Sequence, residues 1–285
     1  MEEIAYLNGE MLPSSEASIS INDYGFLFGY GVFGGLRAYK GKVFRLDTKL
    51  ERIRESAEKL GIKTDIATYK SAIIDTIKAN KVQEALVRIT VSSGEGSASP
   101  DPQSCTEPTV LVTAIEYTPF PEETYEKGFR AIVSSVRRNS QSPASVMKTN
   151  NYLESIMARQ EARAANVEQA IQLNDKEKVA ESGNGNLFLV KDGILKTPAL
   201  SCGIIPGIVR EVILELAPQL DIEAAETDIE LEELLSADEA FLTNVLMEVM
   251  PLVSVDGHII GSGKPGDITK RLLKAYREQV QKEIA

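Results

Sequence analysis

Two hydrophobic periods interleave along the chain, one of about two residues and one of three to four. Short alternating or continuous apolar runs predict strands at 4–8, 32–39, 43–46, 85–91 and 109–115, since a half-buried strand shows the same face every second residue. Gly9 and Glu10 turn the first strand back, and Lys40-Gly41-Lys42 joins the next two as a hairpin. Leu50, Ile53, Ala57 and Leu60 then fall on one helical face, with Asp47 as the expected N-cap and Gly61 as the stop. A second helix is predicted over 69–79.

The pattern breaks at 118–123, where two prolines and two acids read as a linker, and again at the turn-rich stretch 139–144. Beyond it an amphipathic helix is predicted over 153–165, with Asn150 or Asn151 as its cap. Short strands follow at 170–173, 177–180, 187–190, 194–197 and 240–243. Pro206-Gly207 opens a helix running to about 216, and an amphipathic helix over 268–284 closes the chain. No internal repeat or low-complexity tract is present. Helices that interrupt runs of strands predict an α+β fold. Its expected parts are a small N-terminal domain over 1–117, a linker over 118–128 and a larger domain over 129–285.

Composition narrows the function. The 285 residues carry 31 Lys and Arg against 42 Asp and Glu, a formal net charge of −11. A concentrated basic surface for phosphate backbones is not expected at that charge. No apolar run approaches the roughly 20 residues of a spanning helix, and the start MEEIAYLNGE has acids where a signal peptide has bases, so a cytoplasmic protein is expected. One His (His258), two Cys (Cys105 and Cys202) and no Trp remove His-based triads and Cys/His metal patterns, and leave the thiols reduced. An enzyme so composed must move protons with Lys, Tyr or carboxylates, or take its chemistry from a cofactor.

Candidate residues are individually modest. Lys148, in SVMKTNNYL, lies before a helix among small and apolar neighbours. It reads first as a solvated lysine, and alternatively as a desolvated amine that attacks carbonyls. Glu181 precedes Ser182-Gly183-Asn184-Gly185, either a plain hairpin turn or a glycine loop approached by a ligand. The helix start at Gly207, Ile208 and Val209 carries no acid before Glu211, which suits an anion, although ordinary helices begin the same way. Arg52, next to the apolar Ile53, is a surface charge or an inward phosphate fork. Tyr24, Tyr30, Phe33, Arg37 and Tyr39 crowd among five glycines between Gly25 and Gly35, as a cavity wall or as core. Residues 243–251 end a strand and turn, as a substrate loop or a buried turn.

Taken in order, these segments resemble the class IV aminotransferases, pyridoxal-phosphate enzymes of fold type IV. The resemblance runs from YLNGE to DITKRLLKAY, and its most specific pieces are KTNNYLESIMARQEA, VAESGNGNLFLVKDG, GIIPGIVRE and ADEAFLTNVLMEVMP. It implies a two-domain α+β protein with a barrel-like C-terminal domain, a site between the domains, and at least a homodimer. It implies Lys148 as the lysine bonded to pyridoxal 5'-phosphate and Glu181 as the carboxylate on the pyridine nitrogen. Arg52, Gly207, Ile208 and Val209 would hold the phosphate, Tyr152 the phenolic oxygen, and Asn186 and Val245 would complete the cofactor site. Tyr30, Phe33, Arg37, Leu246 and Met247 would meet the substrate. Val245 stands where many relatives have a hydroxyl residue, and Gly34 where branched-chain enzymes carry Glu in VFEGIR. The activity implied is transfer of an amino group from a branched-chain or hydrophobic L-amino acid to a 2-oxo acid. Aminodeoxychorismate lyase, D-amino-acid or amine transaminase, and a non-catalytic binding module are the alternatives.

Overall fold

The computed structural model describes residues 2–285. The chain divides into two compact units, one running to Thr118 and including Met147–Asn151 and Glu283–Ala285, the other formed by Pro119–Val146 and Tyr152–Lys282.

The first unit contains β1 (Ile4–Leu7), β2 (Glu10–Pro13), α1 (Tyr24–Leu27), β3 (Gly31–Tyr39), β4 (Lys42–Val43), α2 (Leu46–Lys59), α3 (Ile66–Asn80), β5 (Ala85–Ser92) and β6 (Thr109–Glu116). Its antiparallel sheet runs in the order β2-β1-β6-β5-β3-β4. Val32, Leu36 and Ala38 of β3 join Leu50, Ile53 and Ala57 of α2 and Ile73 and Ile77 of α3 in one buried cluster. Each large side chain so buried contributes about 1.5–3 kcal/mol. The alternation leaves Phe33, Gly35 and Arg37 on the opposite face of β3. Asp47 is not a cap. Arg45 takes the N-cap position with φ 55°, and Asp47 lies in the first turn, paired with Lys70 at 2.6 Å. Asp65 caps α3 by accepting the Thr68 N–H at 3.1 Å.

The second unit contains α4 (Glu122–Lys127), β7 (Phe129–Val133), α5 (Leu153–Ala164), β8 (Gln169–Leu173), β9 (Val179–Ser182), β10 (Gly185–Lys191) and β11 (Ile194–Pro198). Then come α6 (Ile208–Leu216), β12 (Ala224–Thr227), α7 (Leu231–Leu235), β13 (Glu239–Asn244), β14 (Glu248–Val255), β15 (His258–Ile259) and α8 (Asp267–Ile284), whose last residues fall in the first unit. Among the described residues nine strands form one mixed sheet, in which β9 pairs with both β8 and β10. That double pairing closes β10, β13, β14, β7, β8 and β9 into a barrel. Ile171, Leu173, Val179, Leu187, Leu189, Leu242, Met250 and Leu252 form its apolar cluster. Their neighbours Gln172, Asn186 and Thr243 therefore face the other way.

The cap expected at Asn150 or Asn151 is absent. Tyr152 occupies the N-cap position of α5 without a side-chain bond, and the Asn151 amide donates to Gly29 O at 3.0 Å instead.

Candidate active site

In the first unit the short segment around Lys148 extends the sheet. The Phe33 N–H donates to Lys148 O at 2.8 Å, Val32 bridges Thr149, and the Asn150 N–H donates to Gly31 O at 3.0 Å. This clamps the backbone of Lys148 beside β3 and brings its Nζ to 5.2 Å from the centre of the Phe33 ring. Arg88 of β5 lies over the same ring at 3.9 Å, a cation that the hydrophobic pattern of β5 gave no reason to single out. Phe33 thus lies between these two cations.

Arg52 is half-buried on α2. Lys49, one turn earlier, is buried and donates to Gly35 O at 3.1 Å. Burial, then the charges of Lys148 and Arg52, push the Lys49 amine from 10.5 down to about 7. Three basic side chains therefore act on one another here, a setting that favours an anionic ligand. Between pH 7 and pH 10.5 the unfolded chain holds a proton on Lys49 that the folded protein lacks, so raising the pH through that window stabilises the fold. Below it both states are protonated, and the cost of burying the charge is complete. Lys49→Met is expected to melt higher than the parent at pH 7, with the gap closing toward pH 10.5. Melting curves of the two proteins with a gap independent of pH would refute this.

In the second unit one register position crosses four strands with polar side chains: Gln172 of β8 pairs with Glu181 of β9, Glu181 with Asn186 of β10, and Asn186 with Thr243 of β13. All four are buried. The β8–β9 register slips by one residue, with Leu173 opposite Val179 and Gln172 opposite Glu181. This bulge turns Glu181 out of the barrel interior that Val179 faces. The Glu181 carboxylate is then surrounded by donors. Arg138 approaches Oε1 at 3.2 Å, while the Asn186 amide and the Ile205 N–H reach Oε2 at 3.2 and 3.1 Å. Nothing in the local sequence pattern assigns Arg138 to this carboxylate; only the fold brings the two together.

Asn186 also donates to Ile205 O at 2.8 Å, which ties Glu181 to the start of α6. Gly207 is the N-cap there and has no side-chain capping bond. A Cβ at Gly207 would lie 2.1 Å from Asn186 Oδ1, so the helix start and the amide can be neighbours only because the residue is glycine. Ile208 and Val209 point their side chains into the core. Their backbone N–H groups belong to the unsatisfied first turn. Gln172 Oε1 and Thr243 Oγ1, on either side of Glu181 in the row, are buried with no hydrogen-bond partner among the described residues.

The remaining expectations sort by location. Tyr152 is half-buried, in the second unit. The Tyr30 hydroxyl donates to Leu60 O. Arg37 is buried, pairs with Glu84 at 3.5 Å and lies over the rings of Tyr39 and Tyr117 at 4.2 and 4.9 Å. Val245, Leu246 and Met247 form the turn between β13 and β14. Asn244 Oδ1 accepts from the N–H groups of Leu246 and Met247, each at 2.8 Å. The Met247 side chain belongs to the apolar cluster of the barrel. Gly183 and Gly185 need no positive φ. Their lost side chains make room for Arg159 and Met247 of the protein itself, not for a ligand. Gly34 faces Ile53, 2.8 Å from an ideal Cβ, so its departure from glutamate is an adjustment of core packing. His258 is exposed on β15. Burial and Asp228 push the Cys202 thiol up to about 11, which keeps it protonated.

The sheet with its helices and the closed barrel make up an α+β fold of the fold type IV kind, as the comparisons with known proteins show. Residues 31–255 match the family model for amino-transferase class IV, and the chain belongs to that family. It is 39% identical over 280 residues, covering 96% of this chain and 95% of the other, to a protein of Methanocaldococcus jannaschii provisionally named a branched-chain-amino-acid aminotransferase. It is 30% identical to the D-alanine aminotransferase of Bacillus licheniformis, over 98% of this chain and 97% of that one. Among solved structures, the Escherichia coli branched-chain amino acid aminotransferase superposes with a TM-score of 0.93 at 30% identity, covering 98% of this chain and 95% of that one.

Proposed function

We propose that the protein is a pyridoxal-phosphate-dependent transaminase that moves the amino group of a branched-chain or similar hydrophobic L-amino acid to a 2-oxo acid such as 2-oxoglutarate. The observation that carries this reading is the Glu181 carboxylate, buried and met by three donors in a row that also holds two unpartnered polar atoms. The residues fit the cofactor. Glu181 would meet its pyridine nitrogen, Lys148 its aldehyde carbon, and Tyr152 its phenolic oxygen. Arg52 and the backbone N–H groups of Gly207, Ile208 and Val209 would take the phosphate, for which the cation cluster of Lys49, Arg52 and Lys148 is suited. Val245 would offer only backbone there, having no hydroxyl. Asn186 would brace both Glu181 and the helix start.

When bound, pyridoxal phosphate supplies a conjugated ring that draws negative charge away from the substrate Cα. Lys148 would supply an amine toward the aldehyde carbon and a group able to take the substrate Cα proton and return it. Glu181 would face the pyridine nitrogen of the bound cofactor. Phe33 gives the substrate side chain an apolar surface, and Arg88 over its ring offers a carboxylate a planar fork.

Two further parts of the proposal concern context. The exposed run of Ile19, Ile21, Phe26, Leu27 and Phe28 supports a homodimer, since an apolar surface of that kind is normally covered. Among the described residues no helix is long and apolar enough to cross a membrane, in keeping with a cytoplasmic enzyme. Transamination of D-amino acids is the second reading, favoured by the likeness to the D-alanine enzyme.

The test is a substrate panel. With pyridoxal phosphate, L-leucine and 2-oxoglutarate are expected to yield glutamate at a rate well above that with D-alanine. Glutamate from D-alanine alone would shift the assignment to D-amino acids. Pyruvate released from aminodeoxychorismate without an amino acceptor would mean a lyase. No reaction with any of them, and no visible absorbance with added pyridoxal phosphate, would sink the enzyme reading.

A further inference from the structure

Arg138 is buried beside Glu181, with 5% of its side chain exposed against 6% for the carboxylate. Each of the three guanidinium nitrogens has a partner. Nη1 faces Glu181 Oε1 at 3.2 Å, Nε donates to Gly203 O at 2.8 Å, and Nη2 donates to Ser145 O at 2.5 Å. Its backbone is fixed as well, because the Arg138 N–H donates to Leu173 O and Arg138 O accepts from the Asp175 N–H, each at 2.9 Å. The planar fork is thus held from several sides before it meets the carboxylate, which two further donors grip at Oε2.

A carboxylate withdrawn from water tends to take up a proton and become neutral. A neutral acid at position 181 could not hold a cation opposite it. The geometry sets the charged Arg138 against Glu181, whereas the Asn186 amide and the Ile205 N–H are neutral donors.

We propose that Arg138 is a positioning residue for the reaction: it fixes the orientation of the Glu181 carboxylate and keeps it anionic for the ring nitrogen of the cofactor. The inference rests on the transaminase reading above. Arg138 reaches the reacting atoms only through Glu181, so its effect must vanish when Glu181 has no charge to hold.

A double-mutant cycle reads this directly. Arg138→Gln, Arg138→Lys, Glu181→Gln and the double variant Arg138→Gln/Glu181→Gln are compared for kcat, KM, pyridoxal phosphate dissociation constant, visible absorbance of the bound cofactor, and melting temperature. Arg138→Gln is expected to lower kcat by about ten- to a hundredfold with KM moved much less, and to change the cofactor absorbance in the same direction as Glu181→Gln. Arg138→Lys, which keeps the charge without the fork and guards against a folding failure of the glutamine variant, should recover part of kcat. In the Glu181→Gln background the Arg138→Gln change should alter kcat by less than about twofold. Equal losses in both backgrounds, or an Arg138→Lys enzyme no better than Arg138→Gln, would overturn the role of Arg138 while the parent still binds the cofactor. A parent protein that takes up no pyridoxal phosphate overturns the transaminase reading, and this proposal with it.

Discussion

Lys148→Ala is expected to lower turnover by at least about a thousandfold, the scale on which loss of a combined nucleophile and proton carrier is felt. The fold should survive, for a structural reason. What holds this segment is backbone: the Phe33 N–H to Lys148 O, the Val32–Thr149 bridge, and the Asn150 N–H to Gly31 O. None of these involves the lysine side chain, and alanine can make all of them. Removing one cation also relieves the repulsion that acts on Lys49. The melting temperature should therefore stay level or rise, while turnover collapses. Added pyridoxal phosphate should give the parent a visible absorbance that borohydride abolishes with permanent attachment of the cofactor, and the variant should retain none after borohydride and dialysis. A small exogenous amine should restore part of the rate, as it can stand in for the missing base. An alanine variant retaining a tenth or more of the parent rate would remove Lys148 from the chemistry.

The architecture was legible where hydrophobic period and turn chemistry agreed. The β3 run, the face of α2 carrying Leu50, Ile53 and Ala57, and the glycine-started α6 all follow from local pattern. What stayed hidden depended on pairing between distant strands. Residues 243–251 read as the end of a strand and a turn, yet 248–255 form β14, with Pro251 opposite Phe241 and β7 parallel on the other side. The barrel closure needs β9 to pair twice, and no local spacing announces that.

The same holds for the site. Lys148, Glu181 and Arg52 could be named from ordered motifs, but their surroundings could not. The bulge that directs Glu181 outward is a one-residue slip against β8. Arg138 and Lys49 are charged residues in charged stretches, where the ordinary expectation is solvent, and only the fold shows them buried. For Met247 and Arg37 too, the motif did not disclose the surroundings. Each stands near a motif, and each is occupied by packing or by an ion pair within its own unit.

Glu181→Gln is expected to separate binding from chemistry. The substitution keeps shape and removes charge, yet Arg138, the Asn186 amide and the Ile205 N–H all donate to the carboxylate. Whichever way the new amide turns, its NH₂ faces either Arg138 or the pair formed by Asn186 and the Ile205 N–H. One buried donor set then loses its acceptor, at about 1–3 kcal/mol, and Arg138 is left without its counter-charge. A lower melting temperature follows. The catalytic effect is distinct from this. The phosphate contacts expected from Arg52 and the start of α6 are untouched, so pyridoxal phosphate should still bind within about tenfold of the parent affinity, one decade being about 1.4 kcal/mol. Without a carboxylate opposite it, the ring nitrogen is no longer held protonated, and the negative charge left at Cα on proton removal has a poorer place to go. We expect kcat to fall by about a hundredfold or more with little change in KM, the signature of an interaction made in the transition state and not in the ground state. Glu181→Asp, which restores the charge at a shorter reach, should recover part of kcat. If instead cofactor affinity collapses while the residual holoenzyme turns over at the parent rate, Glu181 serves to retain the cofactor and not to polarise it.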